Sequence, residues 1–156
     1  MIKRKIGFPV LMVGIVLLDQ LVKWYVVSNI PINESRPFIP HILSLSYLRN
    51  YGAAYSLLQN QQFLFLVLTF LLIPAFIFLF VKRIKGNLPI LFALSFLIAG
   101  GIGNFIDRMR WGYVVDMFQT EFINFPVFNV ADSFLTIGVI WLMVTLFMEE
   151  KNASNN

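Results

Sequence analysis

Four long apolar stretches constrain this sequence more than any other feature. A helix needs about 20 mostly apolar residues to cross the hydrocarbon core of a bilayer, and each stretch is close to that length. Only 13% of the 156 residues are charged, whereas ~25% is usual in soluble domains. We therefore predict an α-helical membrane protein with four transmembrane helices, at about Ile6–Val27, Phe63–Val81, Leu88–Ile106 and Asp132–Met148.

The segments between these stretches indicate one membrane domain over residues 1–156, because they are too short to build a second core. Two of them, Ser28–Gln62 and Asp107–Ala131, are rich in polar residues. Within them, Leu43–Tyr47 alternates with period two, and Tyr113–Phe118 is rich in β-branched and aromatic residues. Both patterns predict short strands on the outer membrane surface.

The basic residues predict the orientation of the helices. Lysine and arginine near the ends of spans are retained on the cytoplasmic side. Of the 12 basic residues, those before the first span, between the second and third, and after the fourth are Lys3, Arg4, Lys5, Lys82, Arg83, Lys85 and Lys151. They outnumber the remaining five, so both termini should be cytoplasmic. Their short clusters beside the spans do not form a basic face, so we predict no nucleic-acid partner.

The residue types present exclude several kinds of site. With no cysteine, the chain cannot form disulfides, zinc-thiolate sites or cysteine nucleophiles. Its single histidine, His41, excludes a multi-histidine metal site. We therefore predict neither a metal nor a cofactor.

Charged residues within the predicted spans are candidates for function, because charges at bilayer depth are costly unless they pair or reach the interface. Asp19 and Lys23 lie four positions apart on one helical face, which fits an ion pair that anchors the first span at the interface. Asn104 and Asp107 share a face of the third span, and Arg108 follows them. This group is either a buried cluster that holds the bundle together or part of a site at the outer edge.

A polar turn follows the first predicted strand. Asn50 offers both donor and acceptor groups, and small residues such as Gly52 let a backbone approach a ligand closely. The turn is therefore either an ordinary connection or one wall of a binding site.

Two carboxylates in the second polar segment form the pattern that most strongly indicates catalysis. Asp132 directly precedes the fourth apolar stretch, where an Asp can also simply cap a helix, and Asp116 lies upstream in the same segment. Two close carboxylates can share a proton, so that the ionised one deprotonates water and the other protonates a peptide carbonyl oxygen. A helix N-terminus favours Asp132 as the anion, which leaves Asp116 as the acid.

Five short motifs resemble, in the same order, the motifs of bacterial signal peptidase II. They are Asp19-Gln20-Leu21-Val22-Lys23, Asn50-Tyr51-Gly52-Ala53-Ala54, Gly100 to Arg108, Tyr113-Val114-Val115-Asp116 and Phe128-Asn129-Val130-Ala131-Asp132-Ser133. The resemblance covers nearly the whole chain and implies four spans with a small outer sheet and an interfacial helix formed from Ser28–Gln62. It also implies an aspartic endopeptidase of the bacterial cytoplasmic membrane with its site toward the outer face. Such an enzyme removes the signal peptide from diacylglyceryl-modified prolipoproteins by cleaving before the lipidated cysteine.

The resemblance also assigns roles to individual residues. At the positions of the family's two catalytic aspartates, this chain has Asp116 and Asp132. At the family positions that bind substrate or orient the carboxylates, this chain has Asn50, Gly52, Asn104, Arg108 and Asn129. At the family positions that support the fold near the site, this chain has Asp19, Lys23 and Asp107. Asp107 is also the alternative candidate for a catalytic carboxylate. The implied partners are lipidated prolipoproteins and membrane lipids. We expect a monomer that needs no cofactor.

Composition alone also allows a small four-span transporter that uses its acids for proton coupling. Transporter acids usually lie near the midplane of the bilayer, whereas Asp19, Asp107, Asp116 and Asp132 all fall toward one side. A third alternative is a membrane scaffold in which the acids only pair with arginines. The position of the acids favours a peptidase over a transporter.

Overall fold

Four helices and three strands form the described part of the chain. The computed structural model describes residues 2–53 and 57–154. Its elements, in chain order, are α1 (Ile2–Asn29), β1 (Ser35–Ile39), β2 (Leu43–Asn50), α2 (Gln62–Arg83), α3 (Leu88–Trp111), β3 (Val114–Thr120) and α4 (Val130–Ser154). Each helix is long and apolar enough to cross a membrane, which confirms the four predicted spans.

Three helices extend well beyond their apolar stretches, and one of them, α3, ends at Trp111 rather than at Ile106. α1 begins at Ile2 rather than Ile6. α4 has 25 residues, although its apolar stretch is near the minimum for a span. The helix continues through Glu149, Glu150 and Lys151 because Glu and Lys are good helix formers.

α3 is the central helix of the bundle. It packs against α1, α2 and α4, and it is the most buried of the four helices. Small residues bring α4 close, since a Cβ atom on Gly100 would lie 2.6 Å from the carbonyl oxygen of Ala131. α2 is almost entirely exposed and presents large apolar side chains such as Phe63, as expected for a helix that faces lipid.

The three strands form one antiparallel sheet in the order β1-β2-β3. β2 contains the predicted strand Leu43–Tyr47, and β3 contains the predicted strand Tyr113–Phe118 except for its first residue, so both strands are confirmed. β1 was not predicted, because Ser35–Ile39 contains Pro37 and lacks a regular alternation. It is exposed along its length, and proline is tolerated in such an edge strand because it has no N–H to pair.

The sheet packs on the C-terminal end of α1, and this contact positions the site. Val26 and Ile30 of that end form a buried cluster with Tyr47, Val115 and Met117 of the sheet. Two short connections then join the sheet to α3 and α4. Gly112 ends α3 in a left-handed conformation (φ 73°) just before β3 begins, and Phe128 pairs with β3 just before α4 begins. The polar ends of three helices therefore meet at the sheet.

The expected interfacial helix falls in the connection between β2 and α2. Residues 51–53 and 57–60 form bends and turns. Leu58 and Asn60 have left-handed backbone conformations, with φ of 54° and 63°, which interrupt a right-handed helix. Residues 54–56, including Ala54 of the second motif, lie outside the described residues, so the interfacial helix stays a prediction.

Candidate active site

A cavity of about 500 Å³ lies where β2, β3 and the adjoining ends of α3 and α4 meet. It brings together six of the residues singled out in the sequence, namely Asn50, Gly52, Asn104, Arg108, Asp116 and Asp132. The rest of its wall is mostly apolar and comes from Ala53, Val114, Phe125–Phe128, Ser133 and Leu135–Ile137. The cavity therefore has a polar part that contains two carboxylates and an apolar part formed by α4 and the segment before it.

Asp132 is held by a reciprocal cap at the start of α4. Asn129 immediately precedes the helix, and its Oδ1 accepts a hydrogen bond from the backbone N–H of Asp132 (2.8 Å). In return, Oδ2 of Asp132 accepts a hydrogen bond from the backbone N–H of Asn129 (3.2 Å). This is the capping box, in which two helix-terminal N–H groups are satisfied at once. The N-cap is therefore Asn129, whereas Asp132 lies in the first turn of α4, and the same contact orients its carboxylate at the cavity wall.

Asp116 lies in β3 and is almost completely buried, with 1% of its surface exposed. Asn50 donates a hydrogen bond to its Oδ2 (2.8 Å), and Asn129 donates one to its Oδ1 (2.7 Å). Gly52 orients Asn50 in turn, because its backbone N–H donates to Oδ1 of Asn50 (2.9 Å). Burial and the nearby charge of Asp132 raise the pKa of Asp116 to about 7, although both asparagine bonds favour the ionised form.

Two asparagine side chains connect the two carboxylates. Nδ2 of Asn129, which contacts Asp116, also donates to Oδ1 of Asn104 (3.1 Å). Nδ2 of Asn104 donates to Oδ1 of Asp132 (2.6 Å). Asn129 does not line the cavity, but it forms hydrogen bonds with both Asp116 and Asp132. The spacing of the carboxylates is therefore set by a continuous chain of hydrogen bonds.

A second group of charges lies behind this chain and does not line the cavity. Lys23 is 3% exposed, and its Nζ lies 2.9 Å from a carboxylate oxygen of both Asp19 and Asp107. It also donates to Oδ1 of Asn104 (3.1 Å). The three donors of the ammonium group thus have three acceptors. The predicted Asp19–Lys23 pair is present, and a second carboxylate, Asp107 on α3, also pairs with Lys23 inside the bundle.

Each carboxylate of this second group also holds the backbone beside a cavity aspartate. Asp107 accepts a hydrogen bond from the N–H of Val115 (3.0 Å), the residue before Asp116. Asp19 accepts one from the N–H of Ala131 (2.9 Å), the residue before Asp132. Asp107 is therefore paired with a cation and does not line the cavity, which distinguishes it from Asp116 and Asp132.

Gln20 was not predicted to have a role of its own, although it lies in the first motif. Its Nε2 lies within hydrogen-bond distance of Asp19 (3.1 Å), Asp107 (3.0 Å) and the carbonyl oxygen of Gly103 (3.2 Å). A polar residue within a span, next to a charged one, is the sequence signal that points to it.

Arg108 contributes a cation to the polar part of the cavity. Its guanidinium carbon lies 4.7 Å from the centre of the Phe65 ring on α2. Its Nε is buried and has no hydrogen-bond partner among residues 2–53 and 57–154. A buried donor without a partner is unfavourable, so a ligand that accepts this hydrogen bond would be stabilised.

Comparison with known proteins agrees with this arrangement. The family model described as signal peptidase (SPase) II matches residues 11–148. A lipoprotein signal peptidase of Streptococcus agalactiae serotype V is 52% identical over 153 residues, covering 98% of this chain and 99% of the relative. One of Streptococcus pneumoniae is 47% identical over 152 residues, covering 97% and 99%.

Solved structures agree as well. A bacterial membrane enzyme determined at 2.3 Å resolution superposes with a TM-score of 0.89 at 39% identity, covering 94% of this chain and 92% of that one. Another, determined at 1.9 Å resolution, has a TM-score of 0.82 at 40% identity, covering 90% and 93%. Since the family model matches most of the sequence and the relatives align over nearly its full length, this chain belongs to the signal peptidase II family.

Proposed function

We propose that this chain is an aspartic endopeptidase that removes signal peptides from diacylglyceryl-modified prolipoproteins, cleaving before the lipidated cysteine. The observation that carries the proposal is that Asp116 and Asp132 line one cavity and are connected through Asn104 and Asn129. Family membership supports a peptidase and gives no support to the proton-coupled transporter.

The two carboxylates supply an acid and a base for peptide hydrolysis. Asp132, at the N-terminus of α4, begins as the anion, and Asp116 begins with the proton. Asp132 takes a proton from water as the water oxygen bonds to the carbonyl carbon, and Asp116 gives its proton to the carbonyl oxygen. As the C–N bond breaks, Asp132 returns a proton to the leaving nitrogen and Asp116 takes one from a hydroxyl group of the intermediate. Both residues end in their starting states, so no cofactor is needed.

The surroundings of Asp116 suit its role as the acid. Because its pKa is raised to about 7, a substantial fraction of Asp116 keeps its proton near neutral pH and can release it in the reaction. The buried Nε of Arg108 and the amide groups of the asparagines provide polar contacts for the substrate backbone or for the developing charge on the carbonyl oxygen.

The position of the cavity suits a lipidated precursor. It lies at the sheet end of the spans, and the scissile bond of a signal peptide lies near the outer end of its apolar segment. The apolar wall that includes Leu135 and Ile137 continues from the carboxylates along α4, so acyl chains can remain among the spans. We place the enzyme in the bacterial cytoplasmic membrane as a monomer among membrane lipids, with both termini cytoplasmic and the site toward the outer face.

The test is cleavage of a purified precursor by the full chain in detergent. One sample of the precursor carries diacylglycerol on its cysteine, and a matched sample has the unmodified cysteine. We expect cleavage of the lipidated sample, with product masses that place the cut directly before the cysteine. Absence of cleavage, or equal cleavage of both samples, would contradict the proposed specificity.

A further inference from the structure

A groove at the opposite end of the bundle combines basic side chains with an apolar floor. It has a volume of about 380 Å³ and is lined by Lys3, Arg4, Gly7, Phe8, Leu11 and Phe92. It lies between the first turns of α1 and the beginning of α3, and it shares no lining residue with the candidate active site. The groove is therefore a separate feature from the candidate active site.

The length of α1 places this groove in one leaflet of the membrane. Lys3 and Lys23 are separated by 20 residues of α1, which corresponds to about 30 Å along the helix. This is about the thickness of the hydrocarbon core. Since Lys23 lies near the sheet, Lys3 lies at the headgroup level of the other leaflet. Leu11 lies about 12 Å deeper along α1, at the level of the acyl chains.

The deeper part of the groove is open and apolar. A Cβ atom on Gly7 would meet no atom within 4 Å, so this position leaves space beside the helix. Phe8 and Phe92 form the floor, with ring centres 5.1 Å apart in an edge-to-face arrangement. Phe92 also stacks on Trp141, with centres 5.8 Å apart. A linear acyl chain fits a rigid apolar surface of this kind.

Two basic residues, Lys3 and Arg4, lie at the mouth of the groove. Among residues 2–53 and 57–154, neither Lys3 nor Arg4 forms a salt bridge, and the carboxylate of Glu149 at this end pairs with Arg83. Nη1 of Arg4 donates to the carbonyl oxygen of Gly86 (2.8 Å), which holds the side chain beside the groove. A guanidinium has five N–H donors, so Arg4 has capacity for a further acceptor.

We propose that this groove binds one anionic glycerophospholipid of the adjacent leaflet. The phosphate lies against Lys3 and Arg4, and one acyl chain lies along Gly7, Leu11 and Phe92. Basic pockets at the membrane surface attract anionic headgroups, whereas the ammonium group of a zwitterionic lipid is repelled by the same two cations. The combination of charge at the headgroup level and an open apolar channel below it favours a whole lipid over a free anion.

The proposal is tested by native mass spectrometry of the full chain released from membranes of phosphatidylglycerol or phosphatidylcholine. We expect one phosphatidylglycerol to be retained and phosphatidylcholine to be lost. Gly7→Leu fills the groove and should abolish retention. Gly14→Leu is the matched control, because Gly14 is on the same helix, also has nothing within 4 Å of its Cβ position, and lies outside the groove.

A second pair of variants tests the headgroup contact. Lys3→Gln should weaken retention about fivefold, whereas Lys5→Gln removes the same charge from α1 outside the groove and should have no effect. The proposal is overturned if Gly7→Leu retains the lipid as wild type does, or if Lys3→Gln and Lys5→Gln behave alike. If Gly7→Leu does not fold, the lysine pair decides the outcome.

Discussion

Replacing Asp116 with asparagine should make the stability of the protein less dependent on pH. An unfolded chain holds this carboxyl at its ordinary pKa of 3.8, whereas the folded protein raises the pKa to about 7. Between these two values the folded state keeps the proton and the unfolded state releases it. The free energy of unfolding of wild type therefore falls as pH rises through this window, and it is unaffected by this group above and below it.

The magnitude follows from the size of the pKa difference. Each unit corresponds to about 1.4 kcal/mol, so the contribution lost over the whole window is about 4 kcal/mol. About 2 to 3 kcal/mol of this is lost between about pH 5 and about pH 8. Asparagine cannot titrate, so the free energy of unfolding of Asp116→Asn, relative to that of wild type, should rise by about 2 to 3 kcal/mol between about pH 5 and about pH 8. The altered hydrogen bonds change the stability of the variant equally at both pH values and therefore do not affect this difference.

The assay is unfolding in mixed detergent micelles, followed by tryptophan fluorescence at the two pH values. Glu34→Gln is the control, because it removes a carboxylate that is exposed and outside the cavity. The reasoning is refuted if the difference between Asp116→Asn and wild type is the same at both pH values. That result would mean that Asp116 is already ionised in the folded protein at about pH 5.

Three further substitutions test the hydrogen-bonded framework. Lys23→Met leaves two buried carboxylates without their cation and should lower the free energy of unfolding by about 3–5 kcal/mol, measured in the same assay; full stability would contradict the role of the buried ion pairs. Gly103→Ala places a methyl group 2.7 Å from Oδ2 of Asp19 and should cost about 1–3 kcal/mol, whereas Gly14→Ala, at an open position, should not destabilise the protein. Asn129→Ala removes the cap of α4 and should cost about 1–2 kcal/mol while also reducing cleavage; unchanged turnover would show that the bridging asparagine is dispensable.

Two pairs of acids differ in their surroundings and therefore in what they can do chemically. Asp19 and Asp107 share the ammonium group of Lys23 at 2.9 Å and bind backbone N–H groups, so their charges are compensated. Asp116 and Asp132 receive hydrogen bonds mainly from neutral amides and face a cavity. A proton shared between them can therefore move to or from a substrate, whereas the first pair is suited to holding the backbone in place.

The apolar pattern predicts the spans and two strands because length and alternation are local properties of the chain. β1 was not predicted, because its strand conformation depends on its pairing with β2 rather than on a pattern in its own residues. Likewise, α4 continues beyond Met148 because the polar residues there have a high helix propensity. The length of the apolar stretch gives no information about these residues.

The candidate site is predictable only in part. The sequence identifies the polar residues but not their partners, since the bond from Ala131 to Asp19 spans 112 positions and the contact of Lys23 with Asp107 joins two different helices. Such contacts arise from the packing of α3 between its neighbours. The bridging role of Asn129 and the contribution of Gln20 could be recognised only once these helices were assembled.

The most direct test of the central claim is cleavage of a lipidated precursor by Asp116→Asn and Asp132→Asn, each compared with wild type and with Glu34→Gln in detergent. All four proteins must first show a folded state by their unfolding transitions. We predict that wild type and Glu34→Gln release the signal peptide and that both aspartate variants do not. Full activity in either folded aspartate variant would contradict the two-carboxylate mechanism and would make Asp107 the next residue to test.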